Sequence, residues 1–162
     1  MSLNHKNLET LTRIRDSKSV TPLAATNLFD SLPPLPATEM LGEWKGTCAL
    51  TNHPGTKALF DLRWVGKNFN SFDDVDPIIS SSPDGTGAGR VVNGVMGKAR
   101  LKECKYNHVL SAAMIYNDRP IIDHFRRIDE RSVMGVMEAT LDESNHPLFF
   151  ILERVRAGKG RL

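Results

Sequence analysis

From Ala99 to Val155, apolar and polar positions sort into short runs divided by turn-forming residues. Val109–Tyr116, Pro120–Ile128, Val133–Ala139 and Leu148–Val155 are rich in Val, Ile, Phe, Met and Tyr. The breaks between them are Asn117-Asp118, Asp129-Glu130 and Asp142-Glu143-Ser144-Asn145. This pattern predicts consecutive β-hairpins. Ala99–Tyr106, ended by Asn107-His108, adds a further strand in front. Five strands in an unbroken meander predict closure into a barrel or folding into a sandwich.

The pattern changes upstream. Leu3, Leu8, Leu11 and Ile14 recur at helical spacing among Glu, Lys and Arg, which predicts an amphipathic helix over residues 3–16. Packing on the outside of the barrel is the simplest role for it; a membrane-surface or dimer-forming helix is the alternative. Thr21-Pro22 supplies an N-cap and a first-turn proline for a helix through Phe29, and Leu32-Pro33-Pro34-Leu35-Pro36 ends it in a rigid connector. Residues 1–36 thus read as a helical segment packed on a barrel formed by residues 37–162, the whole being one globular unit. Gly42 and Gly46 bracket Trp44 at the start of a strand, where the indole would plug one barrel end or stack on a ligand. Residues 52–76 read as a helix (57–62) and a loop lying across the barrel opening, a usual place for binding residues. Pro77-Ile78-Ile79 and Arg90–Met96 suggest further strands. Gly85-Thr86-Gly87-Ala88-Gly89 resembles a phosphate cradle only superficially, because a strand rather than a helix follows it.

Composition narrows the classes. In 162 residues, 40% hydrophobic and 25% charged, the formal net charge is +2. That balance argues against nucleic acid, with Arg126-Arg127 and the Lys159–Arg161 tail the clusters of positive charge. No apolar run approaches the roughly 20 residues of a membrane-spanning helix. The N-terminus, with Asn4, His5, Lys6 and Glu9, lacks the apolar core of a signal peptide. Cys48 and Cys104 fall in strand-like runs outside any CxxC pattern, so a reducing, cytoplasmic setting is expected. A disulfide would require those strands to be neighbours.

With two-residue loops at Asn117-Asp118 and Asp129-Glu130, His124 would lie opposite Ser111 and Gly135, Arg126 opposite Val109 and Val133, and Ile122 opposite Ala113 and Met137. The other face would carry Leu110, Met114, Tyr116, Ile121, Phe125, Met134 and Val136, with Asp123 the lone charge. Either the His124/Arg126 face lines a cavity, or those residues point outward and the Phe125 face is the packed core. A slip of one residue exchanges the two.

Two groups of segments resemble a known family. Leu32-Pro33-Pro34 followed by Glu39-Met-Leu-Gly42-Glu-Trp44-Lys-Gly46 resembles the GXWXG family. Ala99-Arg-Leu, Met114-Ile-Tyr116-Asn, Pro120–Arg126, Gly135-Val-Met137 and Phe150–Arg154 resemble the domain of unknown function that accompanies it. Trp64-Val-Gly66-Lys67-Asn-Phe69 and Val75-Asp-Pro77 also look like family positions, although Asp76 stands where a His is expected and Asn117 where Asp is usual. The resemblance, over about residues 28–155, implies a mainly β, antiparallel calycin or lipocalin-like barrel with N-terminal helices and a helix-loop insertion after the first strand. In such barrels an Arg on a late strand packs over the first-strand Trp; Arg154 and Trp44 are placed to do so.

The function this suggests is binding of an amphipathic small molecule, a fatty acid or phospholipid, in the barrel cavity. A carboxylate or phosphate would pair with Arg126 or Lys67, and His124 would hydrogen-bond to it. Trp64, Phe69, Ser111, Tyr116 and Met137 would line the site. No catalytic residue, metal or cofactor is expected. The alternatives are a hydrolase or isomerase using His124 as acid and base, a haem barrel ligated by His124 or His108, and an interaction module. Peripheral membrane contact and a homodimer are compatible with an apolar outer face.

Overall fold

The structure, a computed structural model, describes residues 2–84, 86, 89–140, 142 and 144–156. The basic tail and most of the glycine-rich stretch considered above lie outside the described residues. Three α-helices, α1 (His5–Arg15), α2 (Pro22–Ser31) and α3 (Pro54–Asp61), accompany the strands among the described residues. The strands are β1 (Gly42–Cys48), β2 (Trp64–Ser71), β3 (Asp74–Ser81), β4 (Arg90–Val92), β5 (Ala99–Tyr106), β6 (Val109–Tyr116), β7 (Ile121–Arg127), β8 (Ser132–Ala139) and β9 (Leu148–Arg154). Eight of them close an antiparallel barrel in the order β2-β1-β9-β8-β7-β6-β5-β3, with β2 pairing β3 to shut the ring. The short β4 extends the same β3 edge, pairing with Ile79–Ser81, while Ala99 of β5 pairs with Val75. The expected calycin-like barrel, with helices before it and one after its first strand, is what the chain forms.

Two stretches differ from expectation. Residues 64–76 are not a loop over the opening but β2 and the start of β3. Their acidic run fits a strand because Lys98 Nζ neutralises Asp74 at 2.7 Å and Asp76 at 2.6 Å, while Asn70 donates to the other Asp76 oxygen. Residues 90–96 do not continue as one strand. The Asn93 side chain accepts from Val95 N at 3.1 Å and starts a 3₁₀ turn, Gly94–Met96.

One end of the barrel is sealed. The 3₁₀ turn Ala37–Met40 crosses beneath it, and Trp44 Nε1 donates to Met40 O at 2.7 Å. The Arg154 guanidinium lies 4.4 Å from the Trp44 ring and donates to the carbonyls of Leu41 and Glu39. Arg127 pairs with Glu39 beside it. The opposite end carries α3, the Gly94–Met96 turn and the β6–β7 and β8–β9 connections.

The helices cover the outside of β8 and β9. Asn4 and Thr21 cap α1 and α2 through side-chain oxygens, and Pro22 occupies the first turn of α2. Leu11, Ile14, Ala25, Leu28 and Phe29 bury against Met134, Val136, Phe149 and Ile151. Beyond Ala113 the strands β6 and β7 part, and the proline-rich connector fills the gap. Leu35 O accepts from Ala112 N at 2.9 Å, and Pro33 O from Arg127 N at 2.8 Å. Ser111 Oγ donates to Phe125 O at 2.6 Å and accepts from Leu35 N at 3.1 Å. Prolines suit this position because they offer carbonyls while bringing no N–H to satisfy.

The pairings decide which face is inside. Four residues, Asn117–Pro120, separate β6 from β7, so His124 pairs with Ala113 rather than Ser111. That is a shift of two, which leaves the faces unchanged. Between β7 and β8 the Asp129 side chain accepts from Arg131 N and Ser132 Oγ, widening the turn, and His124 pairs with Val136 instead of Gly135. This one-residue slip puts Gly135 and Met137 on the same face as Phe125 and Asp123. The interior holds Trp44, Phe69, Met114, Tyr116, Phe125 and Phe150. His124 and Arg126 face outward.

Candidate functional site

The outward side chains have structural occupations. Arg126 Nη1 donates to Leu32 O at 3.2 Å and Phe29 O at 3.4 Å, and its guanidinium sits 4.7 Å from the Phe29 ring. It therefore adds a cation to the carbonyls at the C-terminal end of α2, where Phe29 O already accepts from Leu32 N, as cations near helix C-termini do. His124 stacks on Tyr106 at 4.3 Å, and its Nε2 lies 3.2 Å from Glu138 Oε1. His108 sits in the β5–β6 turn. His124, Arg126 and Ser111 are thus not brought to the barrel interior, while Lys67, Trp64, Tyr116, Phe69 and Met137 are.

Lys67 is the centre of what the interior assembles. Its side chain and that of Asp123 are 4% and 3% exposed, and Nζ lies 3.1 Å from Asp123 Oδ2. Nζ also donates to Pro77 O at 3.2 Å. Three aromatic rings surround the ammonium, Phe150 at 5.3 Å, Trp64 at 5.6 Å and Tyr116 at 5.9 Å from their centroids, within cation–π range. Trp64 and Lys67, three residues apart, share the inner face because the β2 pairing shifts around Gly66. A side chain at Gly66 would collide with Trp44 O, so the bulge needs glycine. Gly46 and Gly135 leave the room that the Trp64 and Phe150 rings occupy. From there an edge-to-face series, Trp64–Phe150–Phe125–Phe69, runs down the barrel with centroids 5.8 to 6.1 Å apart.

The polar atoms of this cluster are incompletely matched. Asp123 Oδ1 and Trp64 Nε1 are buried without a hydrogen-bond partner among the described residues. Burial pushes the Asp123 carboxyl above its ordinary value, with the Lys67 charge opposing the shift. Burial, then the Asp123 charge, raises the Tyr116 hydroxyl well above its ordinary value. In register with Asp123 and Ile121 stand Met137 and Ala139, and these apolar residues line a groove at the open rim of about 290 Å³. His53, Arg119, Pro120 and Asp142 complete it. His53 Nδ1 accepts from Gly55 N at 2.9 Å, capping α3, so the proton is assigned to Nε2, which lies 2.9 Å from Asp142 Oδ2. Asp123 and Phe150 are the members that sequence reasoning left out of the site. The signal was a lone carboxylate in the alternating apolar run Ile121–Phe125.

A closed antiparallel barrel sealed by a Trp–Arg pair, with a buried Lys–Asp pair beneath its open rim, defines the class of protein. Residues 27–85 match the family described as GXWXG protein, and residues 97–154 match the domain of unknown function DUF4334. The chain belongs to the family that this pair of segments defines. A crystal structure of a protein from Thermomonospora curvata superposes with a TM-score of 0.84 at 33% identity, covering 94% of this chain and all of that one. No curated protein matches. Among the described residues no helix is long and apolar enough to cross a membrane.

Proposed function

We propose that the protein is a binding barrel for a neutral amphipathic small molecule, admitted at the open rim with its polar group directed to the Lys67–Asp123 cluster. The observation that carries this reading is the unpartnered pair of buried atoms beside Lys67, Asp123 Oδ1 and Trp64 Nε1. A buried polar atom without a partner is costly, and such atoms are rare in native proteins. One acceptor and one donor are complementary to a hydroxyl or a carboxamide, which offers both. A fatty acid carboxylate or a phosphate is a poorer match. Lys67 is already paired, so an anion would face Asp123, and Arg126 is engaged outside the barrel. The apolar body of the ligand would rest on Ile121, Met137 and Pro120 at the rim.

Calorimetric titration with a medium-chain alcohol and with the carboxylate of equal length tests this. Binding of the alcohol in preference to the carboxylate is expected. Trp64→Phe should weaken alcohol binding by about fivefold, the worth of one neutral hydrogen bond of about 1 kcal/mol. Preference for the carboxylate, or indifference to Trp64→Phe, would remove the basis of the reading.

A further inference from the structure

We infer that Lys67 captures a carbonyl ligand covalently, as an imine with an apolar aldehyde or ketone held in the same site. This rests on the binding reading above and extends it to a carbonyl ligand, whose oxygen only accepts until attack turns it into a carbinolamine hydroxyl able to donate as well. The required groups are already adjacent. A primary amine lies inside the barrel, walled by Trp64, Tyr116 and Phe150. A buried lysine among apolar groups is the usual setting of a reactive amine. An ammonium must shed a proton before it can attack, and Asp123 Oδ2, 3.1 Å away, is the acceptor at hand. Burial raises that carboxyl, which makes it a better proton acceptor than an exposed carboxylate.

The step balances without a further reactant. Lys67 Nζ attacks the carbonyl carbon, the C=O π pair moves to oxygen, and that oxygen takes a proton to give the carbinolamine. Loss of its hydroxyl with a proton, as water, forms C=N. The imine nitrogen, protonated, then faces the Asp123 carboxylate as counter-ion, so the charge pattern of the resting pair is restored. Trp64 Nε1–H, without a hydrogen-bond partner among the described residues, is available to the carbonyl oxygen before attack. The surrounding rings keep bulk water from the product, which slows its hydrolysis.

The full-length chain incubated with an aryl enal and cyanoborohydride, then digested and mapped by mass spectrometry, tests this. The reductant converts an imine to a stable secondary amine at the lysine that formed it. The Lys67 peptide is expected to carry most of the adduct, ahead of exposed Lys57 or Lys98, because the bound carbonyl is held beside that amine. Lys67→Arg should abolish that adduct while leaving surface labelling unchanged. The wild-type map decides the matter even where this variant fails to fold. An unmodified Lys67 beside labelled surface lysines, with the alcohol still binding, overturns the imine and leaves the binding reading standing. If neither alcohol nor aldehyde occupies the barrel, both fall.

Discussion

The two ends of the barrel use the same ingredients, a cation against aromatic rings, to opposite effect. At the sealed end Arg154 lies over Trp44, the indole N–H has its carbonyl, and the guanidinium is shared between two more. Near the open rim Lys67 sits among three rings, yet an indole N–H and a carboxylate oxygen are left without partners. Saturated polar groups fix a structure, and unsaturated ones leave something for another molecule to complete. The difference separates the part of the family signature that builds the barrel from the part that equips it.

The largest effect should come from splitting the buried pair. Asp123→Leu leaves an uncompensated ammonium and is expected to cost about 3–5 kcal/mol, whereas the double change Lys67→Met with Asp123→Leu should recover most of it. Urea unfolding measures both. A double variant as unstable as the single one would make the pair a structural element like Trp44–Arg154 and dissolve the contrast.

Intermediate effects are expected where glycine makes room for rings. Gly135→Ala drives a methyl into Phe150 and should cost about 1–3 kcal/mol. The disturbance reaches Lys67 through the Phe150 ring, so ligand affinity should fall with stability. A change in stability alone would detach Phe150 from the site.

The smallest effect is in pH dependence. Because the folded-state Asp123 carboxyl is raised from the ordinary 3.8, its contribution is fully present below that pH and is lost as pH rises through the raised value. Asp129 and Asp142 are lowered and act in the opposite sense, losing stability on acidification. The difference in unfolding free energy between wild type and Asp123→Asn should therefore decline with rising pH above 3.8. A difference that grows with pH would show Asp123 to be held as a favourable carboxylate.

How much could be read beforehand follows the range of each interaction. The barrel, the N-terminal helices and the Trp44–Arg154 seal were legible, since strand alternation, helix caps and a family signature are written locally. The inward set was not, because it turned on whether the β7–β8 turn carried one residue more, a choice made by Asp129 side-chain bonds. That slip brings the Gly135 edge of β8 onto the Phe125 face and leaves His124 and Arg126 outside. Lys67 was recognisable, but its partner lies 56 positions away on β7, and nothing local announces such a pairing.

The proline-rich connector has a consequence for how the chain can be handled. Its carbonyls serve as one rung of the wall between β6 and β7, so the barrel is stitched shut by a segment that precedes all its strands. A fragment starting at the first strand would expose the backbone N–H groups of Ala112 and Arg127 as a short open edge. Exposed edges recruit other strands, so such a fragment invites self-association and strand exchange between copies. Trimming the molecule to its barrel would thus convert a closed vessel into a sticky one.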